Sequence, residues 1–130
     1  MKHLTPRETH AFLEQTPEAL FIDCRSTIEY YFVGHPIGAI HVAWNDGDDW
    51  EINPGFVDEV LRQADGDRRR PVALICRSGR RTLEAAEALE NAGFAEVINV
   101  LYGFEGERDE NMHRNTLNGW RVDGLPWEQS

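Results

Sequence analysis

Cysteine is scarce in this chain, which has two cysteines and five histidines among its 130 residues. Cys24 and Cys76 stand far apart, so the sequence contains neither the framework of a disulfide-stabilised domain nor the spacing of a zinc finger. The histidines are scattered along the chain, which disfavours a metal site. We therefore expect no metal and no cofactor.

Positive charge is also in short supply, because 13 Lys and Arg oppose 23 Asp and Glu and leave a formal net charge of -10. This balance argues against nucleic acid as a partner. Long apolar runs are missing too: residues 1–8 contain no stretch of signal-peptide length, and no segment approaches a membrane span. These absences predict a cytoplasmic protein with neither nucleic-acid nor membrane partners.

The size and the order of segments predict one α/β domain over residues 1–130. With 41% hydrophobic residues the chain can bury a core of its own. Short apolar segments typical of strands occur at 20–24, 39–42, 72–75 and 96–100. Helical segments alternate with them, at 5–15, 26–33, 53–63 and 82–93. The alternation predicts a largely parallel sheet flanked by helices on both faces.

The segment 71–82, Pro-Val-Ala-Leu-Ile-Cys-Arg-Ser-Gly-Arg-Arg-Thr, carries the clearest chemical signal. Its apolar half predicts a buried strand, and Thr82 begins what reads as a capped helix, so Cys76 lies in the turn between them. Unpaired N–H groups and the helix dipole stabilise an anion at a helix start. Positive charge is added by three arginines, Arg77, Arg80 and Arg81. Both effects favour the thiolate, which makes Cys76 a candidate nucleophile.

Two other interpretations of this turn are open. Most free cysteines are buried structural residues, so Cys76 could simply end the strand. Gly79 and the arginines could instead cradle a phosphate, although the Walker spacing and its Gly-Lys-Ser/Thr are missing. The helix start and the local arginines favour the reactive thiolate over both interpretations.

Residues 76–82, Cys-Arg-Ser-Gly-Arg-Arg-Thr, resemble the active-site loop of the rhodanese, or sulfurtransferase, family. Further motifs similar to the family's follow in the expected order, at 21–26, 34–42, 97–104 and 118–127. The likeness covers nearly the whole chain, and its separated motifs make it specific. It implies a single-domain, rhodanese-like fold with a five-stranded sheet and a core of about residues 15–127.

The resemblance implies a thiosulfate sulfurtransferase-like enzyme that acts through a Cys76 persulfide. Cys76 would take sulfur from a small anionic donor such as thiosulfate and pass it to cyanide or a thiol. The backbone N–H groups of residues 77–82 would hold the anion, the three arginines would recognise the donor, and the hydroxyl of Ser78 or Thr82 would bond the persulfide. The residues expected to bind substrate are Arg77, Ser78, Gly79, Arg80, Arg81 and Thr82.

Two alternative functions fit the same residues. In the first, the chain is a sulfur-relay module that takes persulfide sulfur from one protein and passes it to a carrier protein. In the second, it is a cysteine phosphatase or arsenate reductase of the same fold. Those relatives use a loop one residue longer, with arginine six positions after the cysteine, where this chain has Thr82. The shorter loop suits a single sulfur atom.

For several other side chains we expect a structural role in preference to a catalytic one. We expect an ion pair between Asp23 and Arg25, and an inert strand position for Cys24 in preference to a resolving thiol. His35 and His41 are expected to fix loop geometry through hydrogen bonds. Trp120 and Trp127 are expected to anchor the tail on the core. The polar stretch 105–115 predicts a surface loop, and its alternative, a flap that carries His113 and Arg114 to the cleft, stays open.

Overall fold

The computed structural model describes all 130 residues. In chain order its strands are β1 (Lys2–Leu4), β2 (Leu20–Asp23), β3 (His35–Pro36), β4 (Ile40–His41), β5 (Asn45–Asp46), β6 (Glu51–Ile52), β7 (Val72–Ile75), β8 (Val97–Val100) and β9 (Trp127–Glu128). The helices are α1 (Pro6–Gln15), α2 (Phe56–Gln63) and α3 (Arg81–Asn91), and a π-helical turn spans Glu29–Val33.

Five strands form one parallel sheet in the spatial order β1-β8-β7-β2-β4. The central strand β7 is buried at every position, because a parallel sheet is covered on both faces. Its register with β2 sets Asp23 opposite Ile75. Cys24 and Cys76 therefore leave neighbouring strands at the same carboxyl edge, where ligands bind in open α/β sheets. The predicted α/β fold with a five-stranded parallel sheet is confirmed.

The core lies on both faces of this sheet. On one face, α2 and α3 pack side chains such as Phe56, Val60 and Leu89 against β2 and β7. On the other face, Phe12 and Leu13 of α1, together with Trp120 from the C-terminal segment, cover β7 and β8. Because both faces are covered, water is excluded from the sheet and the ends of its strands are fixed in position.

Local sequence signals set most element boundaries. Helix α1 begins as predicted, since Thr5 and Glu8 bond each other's backbone N–H in a capping box with proline in the first turn. Helix α3 begins one residue earlier than predicted, at Arg81, and without a side-chain cap. The prediction that Thr82 caps this helix is wrong, because its side chain is buried and turned into the core.

Five short strands were not predicted from the sequence, because their partners are distant in the chain or their pairing is brief. Strand β1 lies outside the predicted core of residues 15–127, yet it pairs with β8 at the sheet edge. Strands β5 and β6 form a small hairpin within the segment 44–52, mostly predicted as loop. Strand β9 pairs antiparallel with β3 and ties the tail to the body of the domain.

A buried ion pair stands where β2 ends. The Asp23 and Arg25 side chains are fully buried, and the Arg25 guanidinium donates to Asp23 Oδ2 over 2.6 Å and also to the Gly34 carbonyl. It lies 4.5 Å from the centroid of the Phe104 ring. The predicted structural role of this pair is confirmed.

The predicted roles of the two histidines and of the two C-terminal tryptophans also hold. His35 Nδ1 bonds the Tyr30 carbonyl at 2.9 Å, and His41 Nε2 bonds the Arg25 carbonyl at 2.7 Å. Trp120 is buried in the core and donates its indole N–H to the Pro126 carbonyl. Trp127 packs against Gly34 and Phe104 and is partly exposed. None of the three helices has the length and apolar composition needed to cross a membrane.

Candidate active site

Cys76 lies directly after the central strand and five residues before the first residue of α3. Only 1% of its surface is exposed, but it lines a cavity that opens to solvent. Its Sγ accepts a hydrogen bond of 3.1 Å from the backbone N–H of Gly79. The loop 76–80 therefore curls around the sulfur, as the sequence predicts for a thiol held at a helix start.

Residues that follow β8 fix the cysteine loop through backbone hydrogen bonds. The Phe104 N–H donates to the Cys76 carbonyl over 2.8 Å, and the Glu105 N–H donates to the Arg77 carbonyl over 2.9 Å. Gly103, at φ +63°, lies so close that a Cβ there would collide with the Cys76 carbonyl. Gly79, at φ +95°, also needs the left-handed conformation that glycine tolerates. The Gly103-Phe104 motif therefore fixes the backbone of the cysteine loop at Cys76 and Arg77.

The loop that follows Cys76 and the start of α3 contain backbone donors without an acceptor in the chain. Besides Gly79, the loop and helix start contain N–H groups that donate to no acceptor within the chain, those of Arg77, Ser78, Arg80, Arg81 and Thr82. Helix α3 starts here, and its dipole adds partial positive charge at the same place. The loop is therefore built to hold a negative charge on or next to Cys76.

Thr82 connects the sulfur to a buried polar chain. Its hydroxyl lies 3.6 Å from Cys76 Sγ and donates to Asn99 Oδ1, and the Asn99 amide lies 3.1 Å from His3 Nδ1. The single hydroxyl proton is thus directed at Asn99, and Thr82 offers Cys76 a lone pair. A hydrogen bond from Thr82 to a thiolate or persulfide requires this hydroxyl to rotate.

Arg81 is paired with a carboxylate that sequence analysis missed. Its guanidinium makes a two-pronged contact with Glu29, with distances of 2.7 Å and 2.8 Å. Burial alone would raise the pKa of Glu29, but the hydrogen bonds and charge of Arg81 and the bonds from Ser26 outweigh it and lower the pKa. The pair therefore contributes stability above the usual glutamate pKa of about 4.3, and this is lost as pH falls through the lowered value. The Ser26-x-x-Glu29 spacing marks a helix start in the sequence, but it does not predict the contact with Arg81.

The cavity beside Cys76 gathers most of the predicted residues. Its wall includes Ser78 and the three arginines named from the sequence, Arg77, Arg80 and Arg81. Arg77 and Arg80 are exposed and carry no ion pair, whereas Arg81 is half-buried and bound to Glu29. Two apolar side chains also line the opening, Ile28 at 68% and Trp50 at 47% exposure.

The polar stretch 105–115 is a structured loop. Some of its residues fit the predicted surface loop, and others fit the predicted flap beside the cleft. Asp109 accepts backbone hydrogen bonds from Asn111 and His113 and so fixes the loop from within. Arg114 lies on the wall of the Cys76 cavity and donates to the Gly106 carbonyl over 2.7 Å. His113 is exposed and does not line the cavity. The flap interpretation therefore holds for Arg114 and not for His113.

Cys24 is sealed in the core beside the active loop. It is 0% exposed and its Sγ lies 3.4 Å from the Ile75 carbonyl. Burial raises its pKa well above the usual thiol value, and negative charge on Cys76 and Asp23 raises it further. Cys24 therefore stays a neutral thiol at neutral pH.

We expect iodoacetamide at pH 8 to modify Cys76 and to leave Cys24 unmodified until the chain unfolds, because the thiolate is the nucleophile. Peptide mass spectrometry would locate the label. The neutral Cys24 thiol stabilises the fold below about pH 8.5, and this contribution falls as pH rises towards its raised pKa. Cys24→Val should therefore reduce the alkaline loss of thermal stability. Native labelling of Cys24 at the rate of Cys76 would contradict this assignment.

The chain contains no group of three or more His, Cys, Asp and Glu side chains arranged to hold a metal ion. The groups that the site offers to a substrate are the Cys76 thiol, the backbone N–H groups of the loop and the arginines.

Comparison with known proteins points to one family. Residues 5–109 match the family model of the rhodanese-like domain. The chain is 38% identical to Rv0390 from M. tuberculosis, with a TM-score of 0.87 over 100% of this chain and 98% of that one.

Two more distant structures share the fold. The polysulfide-sulfur transferase homodimer from Wolinella succinogenes has 21% identity and a TM-score of 0.64, over 100% of this chain and 80% of that one. A thiosulfate sulfurtransferase from Pseudomonas aeruginosa has 23% identity and a TM-score of 0.68, over 99% of this chain and 20% of that one.

Proposed function

Because this chain belongs to the rhodanese-like family, we propose that it is a sulfurtransferase that carries sulfane sulfur as a persulfide on Cys76. The observation that carries the proposal is the hydrogen bond from the Gly79 N–H to Cys76 Sγ, on the wall of a cavity that opens to solvent. Sulfur-transferring proteins among the structures of similar fold support the same chemistry. In this proposal thiosulfate is the donor, and cyanide or a thiol is the acceptor.

In the first step the Cys76 thiolate attacks the outer sulfur of thiosulfate. A new S–S bond forms at Cys76 while the S–S bond of thiosulfate breaks, and sulfite leaves with the electron pair. The outer sulfur of the persulfide carries the negative charge, next to the unpaired N–H groups of the loop. Preorganised donors stabilise that charge without having to reorient, which is how such sites lower a barrier.

In the second step an acceptor attacks the outer sulfur of the persulfide. Cyanide would leave as thiocyanate and a thiolate as a new persulfide, while the electron pair of the broken S–S bond returns to Cys76. The thiolate is regenerated, so the cycle needs no external oxidant or reductant. Two half-reactions that share one covalent intermediate give ping-pong kinetics.

A sulfur-relay role between proteins is the second candidate. Ile28 and Trp50 are exposed apolar side chains at the opening of the Cys76 cavity, where a protein acceptor would dock. The phosphatase alternative has less support, because its grip on a tetrahedral anion needs arginine at the position of Thr82. Thr82 is buried and its hydroxyl is bonded to Asn99.

The test is intact-mass measurement after incubation with thiosulfate, polysulfide or glutathione persulfide. The proposal expects one added sulfur atom on Cys76, removable by cyanide or by a thiol. A chain that gains no sulfur from any of these donors contradicts the proposal. Loading by a persulfide without loading by thiosulfate, followed by transfer only to a protein acceptor, would select the relay role.

Donor recognition gives a prediction that uses the Arg81–Glu29 pair. We expect Arg81→Ala to raise the Michaelis constant for thiosulfate about tenfold, since it removes a cation and exposes the Glu29 carboxylate. Glu29→Gln removes the carboxylate that competes with thiosulfate for Arg81, and it should lower the Michaelis constant for thiosulfate. Arg77→Ala and Arg80→Ala should have smaller effects of about threefold, because both side chains are exposed to solvent. Steady-state kinetics with cyanide as acceptor measures all four variants.

The matched control is Arg69→Ala, which removes an arginine that is 89% exposed and lies before β7, at the opposite end of the strand from Cys76. Its Michaelis constant should equal that of the parent. Unchanged thiosulfate kinetics in the Arg77, Arg80 and Arg81 variants would mean that the helix start alone activates Cys76. That result would favour a neutral or protein-bound donor.

A further inference from the structure

A second cavity lies beside the cysteine loop, and Cys76 is not part of its wall. Its volume is about 520 Å³, within the range of small-molecule sites. Four arginines line it: Arg77, Arg80, Arg108 and Arg114. We call this cavity the arginine pocket. In a chain with a net charge of -10, four guanidinium groups around one small cavity are a marked local reversal of sign.

The four arginines are not neutralised by the chain itself. None of them takes part in an ion pair, and the only hydrogen bond from their side chains runs from Arg114 to the Gly106 carbonyl. The one carboxylate on the wall, Glu107, accepts a hydrogen bond of 2.8 Å from Asn118. Desolvation, together with the charges of Arg77, Arg108 and Arg80, lowers the pKa of Arg114, while Glu105 acts in the opposite sense. The guanidinium groups therefore repel one another in the absence of a ligand.

The arginine pocket adjoins the cavity that contains the sulfur. Both cavities share Ser78 and three of the arginines, Arg77, Arg80 and Arg114. A ligand can therefore place its reacting atom beside Cys76 and its charged end among the arginines. Leu101 and Tyr102 add a small apolar surface to the pocket wall. An inorganic anion such as thiosulfate needs neither this volume nor this number of cations.

We propose that the arginine pocket binds the polyanionic end of the sulfur acceptor, a small thiol that carries two or more carboxylates or phosphates away from its sulfur. This inference rests on the proposed function, because it assigns the acceptor of the same Cys76 persulfide. The thiolate of the acceptor takes the outer sulfur, and the electron pair of the S–S bond returns to Cys76. Arg108 is the best residue to test, because it lines the pocket, is exposed, and forms no hydrogen bond or ion pair within the chain.

The experiment compares two polyanionic thiols with a neutral one. Glutathione supplies carboxylates, coenzyme A supplies phosphates, and 2-mercaptoethanol supplies neither. The measured quantity is the kcat/KM of each polyanionic thiol divided by that of 2-mercaptoethanol. We expect Arg108→Ala to lower this ratio about fivefold and Arg108→Glu about twentyfold, for at least one of the two thiols. The thiol whose ratio falls identifies carboxylate or phosphate as the recognised group.

The matched controls are Arg69→Ala and Arg69→Glu, which change the net charge equally at an exposed position before β7. Their ratios should equal that of the parent. Equal ratios in the Arg108 and Arg69 variants would overturn the proposal. Circular dichroism should show native folding in all variants, because the Arg108 side chain is exposed and forms no hydrogen bond or ion pair within the chain.

Calorimetric binding of S-methylglutathione and S-methyl coenzyme A tests the pocket without any sulfur on Cys76. We expect binding of at least one of them to the parent, with weaker binding at high salt and to Arg108→Glu. Absence of binding for both would overturn the pocket proposal even if Cys76 loads normally. Binding that depends on Arg108, in a chain whose Cys76 takes no sulfur, would support the pocket and count against the proposed function.

Discussion

Replacing Cys76 with alanine is expected to lower sulfur transfer from thiosulfate to cyanide by at least about a thousandfold, because the sulfur has no other covalent carrier. The variant should also gain no sulfur in intact-mass measurements. Cys76 is buried but makes few polar contacts beyond those of Gly79 and Thr82, so the fold should persist. Thiocyanate formation and mass after thiosulfate treatment would be measured in parallel.

Cys24→Val is the matched control for this experiment, since it removes the other thiol from the same carboxyl edge of the sheet. It should retain most of the activity and load one sulfur atom. If Cys76→Ala turned over thiosulfate and cyanide at the parent rate, the persulfide mechanism would have to be abandoned. Loss of transfer in a folded Cys24→Val variant would instead give Cys24 a redox or relay role.

The largest effect on stability is expected at the buried ion pair. Arg25→Met should lower the free energy of unfolding by about 3 to 5 kcal/mol, because it leaves the Asp23 carboxylate buried without its partner. The melting temperature should fall by about 10 °C or more. Chemical denaturation followed by tryptophan fluorescence would measure the change, since Trp120 is in the core.

Removing both charges separates the ion pair from the loss of side-chain packing. Asp23→Leu combined with Arg25→Met should recover a substantial part of the lost stability, because no isolated charge stays buried. The exposed pair Glu59–Arg62 is the control, and Arg62→Met should change stability by no more than about 0.5 kcal/mol. The role assigned to the pair would be contradicted if the free energy of unfolding of the double variant fell by the sum of the losses in Asp23→Leu and Arg25→Met.

The candidate nucleophile could be predicted because its setting is local. A buried strand, a cysteine and a helix start follow one another within residues 72–81, and short-range backbone bonds dictate that order. The capping box of Thr5 and Glu8 was predictable for the same reason. Thr82 misled the prediction, because a threonine at a helix start can either cap the helix or turn inwards, and burial against Asn99 decided it.

The residues that complete the site could not be predicted, because they come from distant parts of the chain. Glu29 meets Arg81 across 52 positions, and nothing in either local segment requires this contact. Arg108 reaches the site on a loop that the sequence favours as solvated surface, and Arg114 was placed at the cleft only by the flap alternative. Only packing brings these groups to one edge of the sheet.

The sequence by itself determined the α/β class, the central strand β7 and the place of Cys76 before α3. Those features depend on apolar periodicity and on hydrogen bonds that close within a few residues. Only the tertiary structure decided that β1 and β9 are strands, that Arg81 is already paired, and that a second cavity is lined by unpaired arginines. Strand pairing and the balance of charge in a cavity arise from groups far apart in the chain, and only the folded arrangement sets the distances between them.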